Sequence, residues 1–532
     1  MRKINTLLIA STAMTCLCTA PALAAGPTDP YPYPGFWIDV IGGGATFPSV
    51  VYRELLDCNF HPLGYENTTG PGPLTGPAPG IPAGEHINQN CPSFPFGTAV
   101  DAALNYYYAP TGSGNGKAAI KSNNNNTLTN PITTSIPYTS SKIKTYPYPV
   151  VSGYHFSGSD DVWNLQDQKD WNNLGNPAKY GSLVQIPALA GAVTIVLNGK
   201  DGAGTALTQS GTVVAGGSSR INFTRQAICG IFSGHITKWN NAILTAQNGG
   251  TPMGTGQITV VHRFDGSGTN FLLTNALQAQ CSAVTGPNSE TDSTIVSYAF
   301  PWGDQSVCPA LPRGANRVNW PDQFPTVCGS PNPTPAGAVF SNSGVNGSQS
   351  QVNLVVATNG AIGYASPDFA QPALTTGPIT ANLQNEWDVS TNTSTTPTFV
   401  APTVAATSAA MASVTPVFDS STLGNPLAWS LQGVVPNPNQ QGAYPIAGFT
   451  WLEMYQCYNS GNNISQQLKN FLYTLYAGGN YELILNSNGF AAVPNVWLSN
   501  GIYPLLGDVN LAPGNISGAG ANPTCAGKVG AT

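Results

Sequence analysis

The stretch Arg263–Phe271, RFDGSGTNF, sets an arginine and an aspartate two positions apart against Gly-Ser-Gly-Thr, in a chain whose charged residues make up only 8%. QITVV before it alternates like a strand, and FLLTNALQAQC within and after it places apolar residues at helical spacing. The run is therefore a strand, a loop and a helix N-terminus. Such a terminus attracts anions, because its first N–H groups lack internal acceptors and its dipole favours negative charge. Taken alone, Arg263 and Asp265 read as a surface ion pair, so the rest of the chain has to decide.

Three further segments repeat the arrangement. FWIDVIGGGATFP is a strand entering a glycine turn, with SVVYRELL as a helix behind it. NYYYAPTGSGNGKAAI is a strand, a Gly/Ser turn and a helix, and VVSGYHFSGSDDVW is a strand ending at Ser159-Asp160. The TGSGNGK loop is not a nucleotide loop: its spacing is one residue short, and Ala118 stands where a magnesium-binding hydroxyl is required. Ser159-Asp160 alone is more often a helix cap. Later come QIPALAGAVTIVLN, the helix and exit loop of INFTRQAICGIFSGHITKWNNAI, then NGAIGYASPDFA, the strand YPIAGFTWLEMYQCY and the amphipathic helix ISQQLKNFLYTLYAG. Strands alternating with helices indicate an α/β chain with open sheets, whose ligands bind beyond the strand ends.

Residues 1–25, MRKINTLLIASTAMTCLCTAPALAA, combine a basic start, an apolar run and a small-x-small end, which is a secretory signal peptide. An exported product, soluble after its removal and either periplasmic or secreted, is expected. A length of 532 residues exceeds one core and calls for two or more lobes. The net charge of −6 gives no basic footprint for nucleic acid or anionic lipid. So sparse a charge suits an acidic exterior, and drift of polar loops explains it equally well. Pro- and Gly-rich insertions are expected near 59–95, 282–350 and 382–441, with a short helix at VAATSAAMASV. Of ten cysteines, two lie in the leader, which leaves an even eight in an oxidising compartment. Neighbour pairing is the simplest of their many connectivities, and no CxxC supports a metal instead. The five histidines are scattered with no zinc spacing. His155, in an apparent strand, is expected to be structural. No metal or cofactor is expected, and no activated nucleophile beside a base appears.

GGGATFP, TGSGNGK, FSGSDD and RFDGSGTNF, in this order, resemble the phosphate-binding segments of the periplasmic phosphate-binding proteins of ABC importers. ICGIFSGHITKWNNA, GAIGYA and YPIAGFTWLEMY resemble family segments too. IDVIGGGATFP, GSLVQIPALAGAVTI and the cysteine before GIFSG are similar to the secreted DING branch. The likeness extends with gaps from about residue 37 to the C-terminus and leaves out the insertions.

The resemblance implies a two-lobed periplasmic-binding-protein fold, type II-like, with two mixed sheets flanked by helices and a hinge of two crossovers. Lobe one would combine 26–187 with 443–532, and lobe two would be 188–442. Thr46, Phe47, Ser113 and Asp160 would hold phosphate from the first, and Arg263, Ser267, Gly268 and Thr269 from the second. Asp265 would support Arg263; DING members often have glutamate there, and His262 replaces a usual basic residue. Asp160 would accept the proton of hydrogen phosphate, which sulfate lacks. Cys229–Cys281 and Cys457–Cys525 resemble DING bridges, whereas Cys58–Cys91 and Cys308–Cys328 would staple insertions. The function implied is high-affinity capture of inorganic phosphate by a monomer, without catalysis, for an ABC permease. The alternatives are a secreted DING-like scavenger, an adhesion protein or a phosphatase-associated protein.

Overall fold

Two mixed β-sheets organise the molecule, and the chain passes between them in the middle of an apolar run. The computed structural model describes residues 38–60, 104–124, 153–210, 212–213, 220–281, 326–327, 330–331, 337–370, 378–394, 396–459, 464–476, 480–516 and 521–532. The leader, most of the 59–95 insertion, and Cys91, Cys308 and Cys328 lie outside the described residues. So do the expected Cys58–Cys91 and Cys308–Cys328 pairings.

The first half runs β1 (Ile38–Gly44), α1 (Ser49–Phe60), β2 (Leu104–Pro110), α2 (Ser113–Ser122), β3 (Phe156–Ser159), α3 (Leu165–Asn173) and β4 (Leu183–Ala192). The second contains β5 (Thr194–Leu197), β6 (Arg220–Phe223), α4 (Arg225–Phe232), β7 (Thr259–Val261), α5 (Gly268–Gln280), β8 (Val339–Ser341), α6 (Gly347–Ala357), β9 (Ala361–Ala365), α7 (Pro367–Ala370) and β10 (Ile379–Leu383). The chain then returns to the first sheet as β11 (Ala447–Tyr455).

Strand order is β2-β1-β3-β11-β4 in the first sheet and β8-β7-β9-β5-β10-β6 in the second. β1 runs parallel to β2 and β3, while β11 opposes both β3 and β4. In the second sheet β5 alone opposes its neighbours β9 and β10. Each sheet is thus parallel except for one reversed strand next to a crossover. The run LVQIPALAGAVTIVL, which looks like one strand, is two: β4 and β5 are buried throughout but belong to different sheets, with Val193 between them. Continuous burial on both faces is what sheets covered by helices impose, so hydropathy does not mark the break.

INFTRQAICGIFSGHITKWNNAI also divides, into β6 followed by α4 behind the Thr224 cap, whose hydroxyl accepts from Ala227 N–H. Residues 382–441, expected to be loop-like, contain helices at Glu386–Ser390, Val404–Ala412 and Pro426–Gly433. The middle one is the helix expected at VAATSAAMASV. Threonine and asparagine side chains cap all three, which explains how a Ser/Thr/Asn-rich stretch reaches helical order. Disulfides Cys229–Cys281 and Cys457–Cys525 are present, the first joining α4 to the end of α5. Among the described residues no helix is long and apolar enough to cross a membrane.

The halves meet through packed side chains. Val50 of α1 is buried in a cluster with Val196, Val261, Val345, Val355 and Phe369 of the second half. Asp368 of α7 lies close to the backbone N–H of Val50, so an acid of one half faces the start of a helix of the other. At the crossovers, Val193 N–H donates to Ile446 C=O at 2.8 Å.

Candidate functional site

Every Gly/Ser/Thr-rich loop singled out in the sequence sits at the C-terminal end of a strand, and the four converge. Gly112 caps α2 with φ 97°, a conformation that favours glycine. A Cβ placed on it would lie 2.7 Å from Gly266 C=O, so the α2 loop and the RFDGSGTNF loop touch. Gly268 is tighter still. A Cβ there would lie 2.5 Å from Ser113 Oγ and 2.8 Å from Asp160 Oδ2. The start of α5 therefore rests directly against residues of the opposite half.

Arg263 is fully buried and heavily bonded. Its Nε donates to Asp265 Oδ1 at 2.6 Å and its Nη2 to Asp265 Oδ2, a two-pronged pairing. Its Nη1 reaches across to Thr46 Oγ1 at 3.1 Å and to Ser348 Oγ at 3.3 Å. Burial opposes the guanidinium charge, but Asp265 together with Tyr364 and Asp160 holds the pKa above its usual value. Arg263 N–H donates to Tyr364 Oη at 3.1 Å, and that hydroxyl donates in turn to Asn270 Oδ1 on α5. The tyrosine of GAIGYA thus locks loop and helix together.

Asp160 is fully buried at the end of β3. Its N–H donates to Ser113 Oγ at 3.2 Å, and its Oδ1 accepts from Thr450 Oγ1 at 2.9 Å. Its Oδ2 and the nearby Thr269 Oγ1 are buried without a hydrogen-bond partner. Burial pushes the Asp160 carboxyl up to about 7, against the Thr450 hydrogen bond and the Arg263 charge, which pull it down; Asp161 adds to the push. Ser267 caps α5, accepting from Asn270 N–H at 3.3 Å.

Of the predicted residues, Thr46, Ser113, Asp160, Arg263, Asp265 and Gly268 are linked by these contacts, with Ser267 and Thr269 flanking Gly268. Phe47, of which only the backbone N–H was expected, packs its ring edge-on to Phe490 at 5.5 Å. Two participants were not foreseen. Ser348, at the start of α6, lies within 3.3 Å of Thr46 Oγ1 as well as Arg263, and the adjacent Gly347 N–H donates to Asp265 Oδ1 at 3.2 Å. Its segment falls at the end of the insertion expected near 282–350, and a serine after Asn-Gly gives no signal by itself. Thr450 lies within a segment already noted, but only strand register reveals its role.

The remaining polar residues near the site are structural. Lys117 of TGSGNGK turns inward to Asp161 Oδ2 at 2.9 Å and Asp167 Oδ2 at 3.1 Å. His155 accepts from Ile41 N–H at Nδ1 (2.8 Å), and burial pulls its pKa down to about 3, so it stays neutral. His262 Nδ1 lies 2.9 Å from Arg263 C=O. Among the described residues no group of three or more His, Cys, Asp or Glu side chains gathers as a metal centre requires.

A model of the PBP superfamily domain matches residues 93–477. The chain is 26% identical over 503 residues to alkaline phosphatase L of Pseudomonas aeruginosa (strain UCBPP-PA14), covering 93% of this chain and 92% of that protein. It is 26% identical over 374 residues to a phosphate-binding protein from an unknown prokaryotic organism, covering 68% and 82% respectively. A solved high-affinity periplasmic phosphate-binding protein (PfluDING), bound with phosphate, superposes with a TM-score of 0.55 at 24% identity, covering 92% of this chain and 99% of the other.

Proposed function

The chain belongs to the PBP superfamily, and from that premise we propose that it captures inorganic phosphate outside the cytoplasmic membrane for delivery to an ABC permease. The observation that carries this is the pairing of opposites in one buried site. Asp160 presents an unpartnered Oδ2 from the first half, while Arg263 and the start of α5 face it from the second.

Asp265 already balances the charge of Arg263, so attraction for an anion falls to oriented dipoles. Helices α2 and α5 and the turn into α1 at Thr46 and Phe47 all begin at this point, and N–H groups there suit the several oxygens of a tetrahedral anion. A carboxylate there repels any anion that brings no proton. Hydrogen phosphate brings one, and Asp160 Oδ2 is placed to accept it. Sulfate would leave that oxygen unpaired at a cost of several kcal/mol. Thr46, Phe47, Ser113, Ser267, Gly268 and Thr269 supply the remaining donors in this reading.

Isothermal titration of the purified chain with phosphate and with sulfate tests it. Tight phosphate binding with sulfate rejected is expected; equal affinity for both would refute it.

The likeness to alkaline phosphatase L across 93% of the chain favours one second reading, that the same cleft hydrolyses a phosphoester. Turnover of a chromogenic phosphoester that disappears in Arg263→Ala would establish it. The site as built offers hydrogen-bond donors and no nucleophile paired with a base, which supports binding without chemistry.

A further inference from the structure

Trp451 of β11 pairs with Ser159 of β3 in antiparallel register, which sets Thr450 opposite Asp160 although 290 residues separate them. Thr450 is fully buried, and its Oγ1 donates to Asp160 Oδ1 at 2.9 Å. The other oxygen, Oδ2, has no partner and faces Gly268. We propose that Thr450 is a specificity-determining residue of this cleft: by donating to Oδ1 it keeps Asp160 a proton acceptor at Oδ2, so that the cleft prefers a tetrahedral anion carrying a proton to one carrying none. This rests on the phosphate reading given above.

A threonine hydroxyl has a single hydrogen to donate. With that hydrogen on Oδ1, a proton taken up by Asp160 would sit on Oδ2 and point at the ligand. The charged and titratable groups facing Asp160 are Arg263, Asp161 and, on α1, Tyr52. Burial is the strongest influence and raises the pKa to about 7, and the Thr450 hydrogen bond is the largest influence restraining it. Removing the bond therefore tips Asp160 toward its protonated form near neutrality. Protonated Asp160 becomes a donor, and a donor serves sulfate as well as phosphate. Thr450 acts through Asp160 and is a positioning residue.

Thr450→Val removes the hydroxyl at nearly constant shape, and Thr450→Ser restores it. Both are titrated with inorganic phosphate and with sulfate from about pH 6 to about pH 9, beside the unaltered chain. The preference for phosphate is expected to fall about tenfold in Thr450→Val and to return in Thr450→Ser. The pH below which sulfate binding strengthens should move upward in the valine variant only. A role confined to packing would weaken both anions alike without moving that pH. An unaltered chain that selects phosphate, beside a valine variant with the same ratio and the same pH response, overturns this inference alone. If the unaltered chain binds neither anion, the phosphate reading fails and this one with it.

Discussion

Replacing Asp368 with asparagine probes how much a buried acid at the junction of the two halves costs the fold. The carboxyl is 1% exposed. Its Oδ1 accepts from the Ser366 hydroxyl and from Phe369 N–H at 3.0 Å, while Oδ2 has no partner. Burial pushes its pKa up to about 8, and the hydrogen bonds from Ser366 and Phe369, with the nearby Val50 N–H, only partly restrain it. An acid raised on folding stabilises fully below its unfolded value, near 4, and loses that contribution as pH rises through its folded value. Between about pH 5 and about pH 8 the loss amounts to roughly 3.5 kcal/mol, somewhat under three units at about 1.4 kcal/mol each because the acid is half-titrated at the upper end. Asparagine keeps the shape and the Oδ1 acceptor but does not titrate. For a chain of this length the effect is about 3 °C in melting temperature. The assay is thermal melting of the ligand-free chain and of Asp368→Asn at both pH values, because bound anion would add its own stabilisation. The melting difference between the two proteins should shift by about 3 °C toward the variant on going from pH 5 to pH 8. Parallel pH responses would refute the reasoning.

Other outcomes follow from the same geometry. Asp160→Asn should weaken discrimination against sulfate more than it weakens phosphate binding; unchanged selectivity in isothermal titration would remove its assignment. Arg263→Ala leaves Asp265 without its partner and should lower phosphate affinity by about a hundredfold or more, and Arg263→Lys should not rescue it, because an ammonium cannot reproduce the fork. Glu453 is fully buried with both oxygens unpartnered and raised to about 8 by burial, so with Asp160 and Asp368 it should make the ligand-free chain melt higher near pH 5 than near pH 8. Below about pH 4 the trend should reverse, as Asp167, Asp201 and Asp388, held low by cations or hydrogen bonds, take up protons and lose those bonds. Peptide mapping without reduction should recover Cys229 joined to Cys281 and Cys457 joined to Cys525; free thiols at Cys229 and Cys281 would contradict the joining of α4 to the end of α5.

The sequence made the local pieces legible and left their meeting points hidden. RFDGSGTNF could be recognised as loop and helix start because Ser267 caps within three residues, a short-range signal, whereas the need for a glycine at 268 comes from Ser113 and Asp160 of the other half. Four loops in order then suggested a shared ligand. Thr450 and Ser348 were invisible for a different reason: each acquires its role from a partner at least 85 residues away, through strand register or contact between halves. The break at Val193 was hidden by burial on both faces. The helices within 382–441 were masked by residues that serve equally as loop formers and as helix caps. Nothing local in the sequence marks Asp368 as buried; its position at the junction of the halves does.

The bond from Val193 to Ile446 joins the two crossovers side by side, at the point where β4 ends and β11 begins. A pair of adjacent strands resists twisting and sliding far more than bending across its width. Separation of the halves should therefore proceed along a single coordinate, with the rim of the cleft sweeping an arc about this pair. One distance between a label on α2 and a label on α6 would then suffice to follow the whole movement.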